Sequence, residues 1–218
     1  MKLDILNTSI VTQGQYHNPS VLHPSFLVSE KIVSKDWELL EPPVCTPPLS
    51  IVKYKSGFIF FVEPGKCQIT DDNPPVDIKS SLNPIIAIKY LKKLPYVKYL
   101  ATGINITGFI ECSDHEKVII ERFLTKGAWN SGIFPPQSLG LKFIYPIGNV
   151  LLQLTYDAVE IENVEIGGKR KGIMVKANYH THFITSDVLK EAEEAIGFFP
   201  KWYEHFNKTI LEIFNLED

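Results

Sequence analysis

The sequence is poor in cysteine and carries no marked excess of charge of either sign. Its three cysteines, Cys45, Cys67 and Cys112, are odd in number and far apart. This pattern argues against a disulfide framework and against a zinc site built on cysteines, and it favours free thiols in a reducing compartment. With 22 basic and 25 acidic residues, the net charge is −3. No global positive surplus therefore draws the chain to nucleic acid or to anionic lipid.

Long hydrophobic runs are also absent. The sequence contains no stretch of about 18 apolar residues, which predicts that no helix crosses a membrane. The segment from Met1 to Asn7 lacks the apolar core of a signal peptide. Together with the free cysteines, these features predict a cytoplasmic protein without a membrane partner.

The common catalytic motifs are missing as well. No G-x-S-x-G, H-E-x-x-H or G-x-G-x-x-G pattern occurs, and there is no EF-hand loop. Their absence favours a binding protein over an enzyme and predicts no bound cofactor.

The chain is rich in material for a hydrophobic core. Of its 218 residues, 44% are hydrophobic, and these include 13 Phe, 9 Tyr and 3 Trp. This balance is typical of a globular protein, and the length favours a single domain over residues 1–218.

Hydrophobic patterning predicts an α+β fold with a largely antiparallel sheet and packed helices, because runs of strands are joined by tight turns. Strands are expected at 49–54, 58–62, 67–70, 97–112, 139–145, 150–161 and 173–184, and helices after Pro84, after Ser113 and after Ser186. The proline-rich first fifty residues are harder to assign, with candidate strands at 3–12 and 22–33.

The C-terminal region is predicted to form a long helix that is interrupted at Pro200, which either kinks it or starts a second helix. Beyond Pro200, an apolar stripe recurs at helical spacing and comprises Trp202, Phe206, Ile210 and Ile213. If this stripe packs on the sheet, it belongs to the core. If the earlier helices already cover the sheet, it is a surface for self-association.

His180 and His182 are the first candidates for chemistry. They lie on the polar side of the strand 173–184, whose apolar and polar residues alternate. Residues two apart in a strand share a face and lie about 6–7 Å apart, so two imidazoles there could bind one metal ion or act as an acid and a base. Glu111 or Asp157 could add a carboxylate. The alternatives are a metal-dependent hydrolase-type enzyme and an ordinary polar face.

A basic turn supplies a second candidate. Lys169, Arg170 and Lys171 lie in a glycine-rich segment that lacks the phosphate-loop pattern and is not followed by a helix. A solvated hairpin turn is the favoured interpretation, with nucleic-acid binding as the alternative. Trp129 and the loop Phe134–Pro136 could rim a binding surface.

The layout of 51–70, a following helix and 97–110 resembles that of a sporadically distributed, uncharacterised bacterial family of similar length. Its members have an antiparallel sheet with flanking helices, somewhat like the export chaperone SecB. In that family the long strand carries a glycine followed by an arginine, whereas Gly103-Ile104-Asn105 keeps the glycine and lacks the arginine. The resemblance covers about half of the chain, implies a bacterial binding or chaperone-like module, and brings no established catalytic residues. The leading interpretation is therefore a non-enzymatic module that binds a protein partner or forms a homo-oligomer.

Overall fold

The computed structural model describes residues 1–125, 127, 129, 139–163 and 167–216. The strands in these residues are β1 (Leu3–Gln15), β2 (Val44–Cys45), β3 (Ser50–Lys53), β4 (Phe58–Glu63), β5 (Lys66–Asp71), β6 (Lys98–Glu111), β7 (Gly140–Ile147), β8 (Val150–Asn163) and β9 (Gly168–His182). The helices are α1 (Pro24–Ser29), α2 (Asn83–Lys92), α3 (His115–Phe123), α4 (Val188–Gly197) and α5 (Phe199–Phe214).

The described strands form one sheet in the order β2-β3-β4-β5-β1-β6-β9-β8-β7. Each pairing is antiparallel, which confirms the predicted α+β class with an antiparallel sheet. The N-terminal strand β1 lies in the interior, between β5 and β6. It therefore joins the set β2 to β5 to the set β6 to β9, in which β7, β8 and β9 follow one another directly and α3 stands between β6 and β7.

The helices pack on one face of this sheet, here called the helical face. Three aromatic contacts define it: Tyr179 stacks on Trp202 of α5 at 4.9 Å between ring centroids, Tyr156 meets Phe123 of α3 at 4.9 Å, and Phe60 meets Tyr90 of α2 at 6.5 Å. The side chains between them are fully buried aliphatic residues from β1, β6, β8 and β9, which form the core. Burial of this apolar layer is the main force that holds the helices on the sheet.

Two separate helices, α4 and α5, stand where one long interrupted helix was predicted. Pro200 lies in the first turn of α5, where its missing N–H needs no partner, and so it starts the second helix. Trp202, Phe206 and Ile210 are 7%, 0% and 0% exposed, and they lie in the core against the helical face. The apolar stripe is therefore part of the core of this chain, and these three side chains are not available to a partner.

The candidate strand at 22–33 is wrong, because helix α1 occupies its centre. Pro24 stands in the first turn, and the His23 imidazole accepts a hydrogen bond from the backbone N–H of Ser25. Both features start a helix, and they outweigh the loose alternation of apolar residues. No helix in the described part of the chain is long and apolar enough to cross a membrane.

A buried imidazole, that of His17, lies two residues beyond the end of β1. His17 is 4% exposed, its ring meets Tyr99 edge-on at 6.0 Å, and neither ring nitrogen makes a hydrogen bond of good geometry in the described structure. Burial lowers the pKa of His17 to about 4, and the nearby backbone of Thr12 opposes this shift in part. His17 is consequently a neutral core residue near pH 7.

Candidate functional site

The face of the sheet opposite the helices, here called the open face, has no covering layer in the residues that the structure describes. Cross-strand partners share a face, and the register places five neutral polar side chains side by side across neighbouring strands. This polar row consists of Thr70, Ser9, Asn105, Asn178 and Gln153, from β5, β1, β6, β9 and β8.

Hydrogen bonds connect the middle of the polar row. The Asn178 amide donates to Oδ1 of Asn105, and Nδ2 of Asn105 donates to Oγ of Ser9 at 3.2 Å. Gly103 makes room for this arrangement, since a Cβ at that position would lie 2.8 Å from Nδ2 of Asn178. Within the described structure, the Gln153 amide makes no hydrogen bond, so it remains free to pair with another molecule.

Apolar side chains flank the polar row at both ends. Ile59 and Phe61 of β4 continue it on one side, and Ile144 of β7 and Leu151 of β8 continue it on the other. Ile144 and Leu151 are 54% and 45% exposed. Charged side chains of the open face lie around this region, among them Lys53, Glu63, Lys66, Lys142, Asp157 and Lys176. The result is an uncharged patch, spanning β4 to β7 in the sheet, with a charged rim.

His180 and His182 also lie on the open face, next to the polar row. Their Nε2 atoms are 3.0 Å apart and their rings meet at 82°, with 4.4 Å between the centroids. Their partners on β6 are Gly103, beside which the Asn178 amide lies, and Ala101. Burial lowers the pKa of His180, and the neighbouring His182 lowers it further. The two predicted residues are thus brought together.

The structure does not bring Glu111 or Asp157 to this pair. Glu111 lies eight residues along β6 from the partner of His180, which is about 26 Å at about 3.3 Å per residue. It binds Arg170 at 2.9 Å. Asp157 lies opposite Met174, six residues from His180 and so about 20 Å away. In the described ranges, no group of three or more His, Cys, Asp or Glu side chains could hold a metal ion.

The charges of the basic turn are paired within the chain. Lys169 and Lys171 contact the Glu160 carboxylate at 3.4 and 2.9 Å, and Arg170 contacts Asp4 at 2.8 Å as well as Glu111. Arg170 also lies over the Phe109 ring at 4.9 Å. These carboxylates compete with any phosphate for the three cations, and nucleic-acid binding through this turn stays a prediction from the sequence.

The predicted rim at Trp129 is only partly described. Trp129 is 37% exposed, and its indole N–H donates to the carbonyl of Thr125 at 2.9 Å. The loop Phe134–Pro136 lies outside the described residues.

Sequence reasoning missed the polar row. The alternation of each strand places Asn105 and Asn178 on a polar side, and this much could be predicted. The register that aligns the two residues could not be predicted from the sequence.

No protein-family model and no curated protein matches this chain. The kinship with a SecB-like bacterial family stays a prediction from the sequence layout. Function is inferred below from the geometry of the open face.

Proposed function

We propose that this chain is a non-enzymatic binding module that forms a homodimer through its open face. The observation that carries the proposal is the uncharged patch, a neutral polar row with apolar ends inside a charged rim. Protein interfaces have this anatomy, with charged residues depleted at the centre and polar residues at the edge.

The patch is complementary to itself. A two-fold axis that runs along β6 between two stacked sheets places the polar row of one copy over that of the other. Amide and hydroxyl side chains both donate and accept hydrogen bonds, so the half-buried members of the row, Thr70, Asn105, Asn178 and Gln153, can pair with those of another copy, whereas Ser9 is buried beneath them. The same axis exchanges the ends, so that Ile59 and Phe61 of one protomer face Ile144 and Leu151 of its partner. Two sheets pack in this way at about 10 Å separation.

The size of the patch fits a stable complex. Together with its charged rim, the patch covers seven strands about 4.8 Å apart, which span about 34 Å, and about seven residues of about 3.3 Å along the strands, which span about 23 Å, for an area of about 800 Å². Each partner in a standard-size protein complex buries about 800 Å².

We place this dimer in the cytoplasm, since Cys45, Cys67 and Cys112 are all free thiols, as a reducing compartment would keep them.

The test is the solution mass of wild type and Gln153→Lys by light scattering after size exclusion over a range of concentrations. Gln153 is half-buried and makes no hydrogen bond within the described chain, so a lysine there leaves the fold intact. In the dimer, the lysine of each protomer places an unpaired charge in the interface. A buried unpaired charge costs about 3–5 kcal/mol, so we expect the dissociation constant to rise at least about 100-fold.

The matched control is Gln15→Lys, which makes the same change at the exposed end of β1, beyond the patch. It should dimerise like the wild type. A wild type that is monomeric at about 100 μM, where association would be worth only about 5 kcal/mol, would refute the proposal. Equal dimerisation of Gln153→Lys and Gln15→Lys would refute the assignment of the interface to the open face.

A further inference from the structure

The histidine pair has a geometry that a polar face alone does not require. The two Nε2 atoms, which are the most distal nitrogens of the rings, point toward each other at 3.0 Å. In the metal-free chain one ring donates this hydrogen bond and the other accepts it. The same two nitrogens can instead converge on a cation, because a metal ion takes the place of the shared proton.

The separation of the nitrogens matches that of two ligands in adjacent coordination positions. Imidazole nitrogens bind first-row divalent cations at about 2.0–2.1 Å. With these bond lengths, the observed Nε2–Nε2 distance subtends about 91–97° at the metal, close to the right angle between neighbouring ligands in tetragonal or octahedral sites. A tetrahedral angle would need the nitrogens about 0.3 Å further apart. This separation admits Cu²⁺ and Ni²⁺, and the affinity of a nitrogen site for first-row divalent cations is generally highest for Cu²⁺.

The surroundings leave room for a cation and its remaining ligands. Gly103 and Ala101 lie across from the two histidines on β6, and the Ala101 methyl is too short to reach the imidazole nitrogens. His182 is exposed at the end of β9, so a hydrated ion has access from solvent. Since the described residues offer no third His, Cys, Asp or Glu ligand here, water or a partner group would fill the other positions.

We propose that His180 and His182 form a two-imidazole binding site for a divalent transition-metal cation, with Cu²⁺ or Ni²⁺ preferred. Imidazole is a ligand that suits these ions. Both rings belong to one protomer, so the two ligands do not require the proposed dimer. Because His180 lies opposite Leu151 within the patch, the dimer would cover the site, and the site is therefore open in the monomer. It differs from a hydrolytic metal centre in having no carboxylate ligand from the described chain.

The test uses Cu²⁺ with the full chain, made without a histidine tag, stripped with a chelator and diluted until light scattering finds it monomeric. Calorimetric titration gives the affinity, and electron paramagnetic resonance counts the coordinated imidazole nitrogens. Wild type should bind one equivalent with two imidazoles. His182→Gln should retain one imidazole. Loss of even an outer partner costs about 10–100-fold in metal affinity, so we expect loss of this direct ligand to cost at least as much.

The control is His23→Asn, which removes the exposed imidazole that lies outside the pair while keeping a side-chain acceptor at the start of α1. Its Cu²⁺ affinity and spectrum should equal those of wild type. Thermal unfolding of the metal-free variants confirms that each remains folded. Absence of saturable Cu²⁺ binding by wild type, or equal affinity and nitrogen count in wild type and His182→Gln, would overturn the site. Either result leaves the solution mass of the metal-free chain, and thus the dimer proposal, unaffected.

Discussion

His17 couples the stability of the fold to pH. The unfolded chain binds a proton on this imidazole below about pH 6.5, whereas the folded chain, whose pKa is lowered to about 4, binds it only at more acidic pH. Between these values the unfolded state holds more protons, so the free energy of unfolding falls as the pH falls. The contribution of the neutral His17 to the free energy of unfolding is complete above pH 6.5 and is lost as the solution is acidified toward pH 4.

The size of the effect follows from the two pKa values. Each unit of difference is worth about 1.4 kcal/mol, so the full loss is about 3 kcal/mol, and about 2.5 kcal/mol of it has occurred at pH 4.5. Exchange of His17 for leucine removes the titrating group and two buried nitrogens without hydrogen bonds. The free energy of unfolding of His17→Leu should therefore not show this loss when the pH falls.

Urea unfolding of wild type and His17→Leu at pH 7 and pH 4.5 is the assay. Carboxyl groups also contribute to the pH dependence of stability in both proteins, among them Asp71, whose pKa is raised by burial. Their effect cancels in the comparison of the two pH dependences. We expect wild type to lose about 2.5 kcal/mol more than the variant between the two pH values. Equal pH dependence of the two proteins would show that the folded chain accommodates a charged His17 and would refute the reasoning.

Two further predictions concern the contact between α5 and the sheet. Phe206→Ala should lower the free energy of unfolding by about 3–5 kcal/mol, because the ring is fully buried and leaves a cavity; a loss below about 1 kcal/mol in urea unfolding would place the ring outside the core. Gly108→Val should cost about 1–3 kcal/mol through overpacking, since a Cβ there would lie 2.7 Å from Leu3 and 3.3 Å from Phe206. Unchanged stability of this variant by the same measurement would contradict the close packing of α5 on β6.

Local patterns predicted the parts of the fold that depend on one segment at a time. The alternation along β9 assigned Tyr179 to one face and His180 to the other, and the burial of Tyr179 agrees with this. Register could not be predicted, because it depends on pairing between distant segments. The hydrogen bond from Asn178 to Asn105 joins residues 73 positions apart, and no local signal reports such a separation.

The same limit explains the site residues that stayed ambiguous. The periodicity of α5 showed that Trp202 and Phe206 share one side of a helix, but it could not show what that side contacts. In the basic turn, the partner of Arg170 is Asp4, which lies 166 positions away in the sequence. A charge count along the chain identifies the three cations, whereas only the folded arrangement shows that carboxylates neutralise them.

The position of β1 has a consequence for how the chain folds. This strand is made before its partners β5 and β6, which end at Asp71 and Glu111, so the centre of the sheet cannot form until synthesis has passed Glu111. Contacts of such long sequence separation slow folding, often to milliseconds or seconds. During that interval β1 exposes unpaired backbone groups that other chains can capture. Removal of β1 would leave β5 and β6 as bare edges and split the sheet into two separate ribbons.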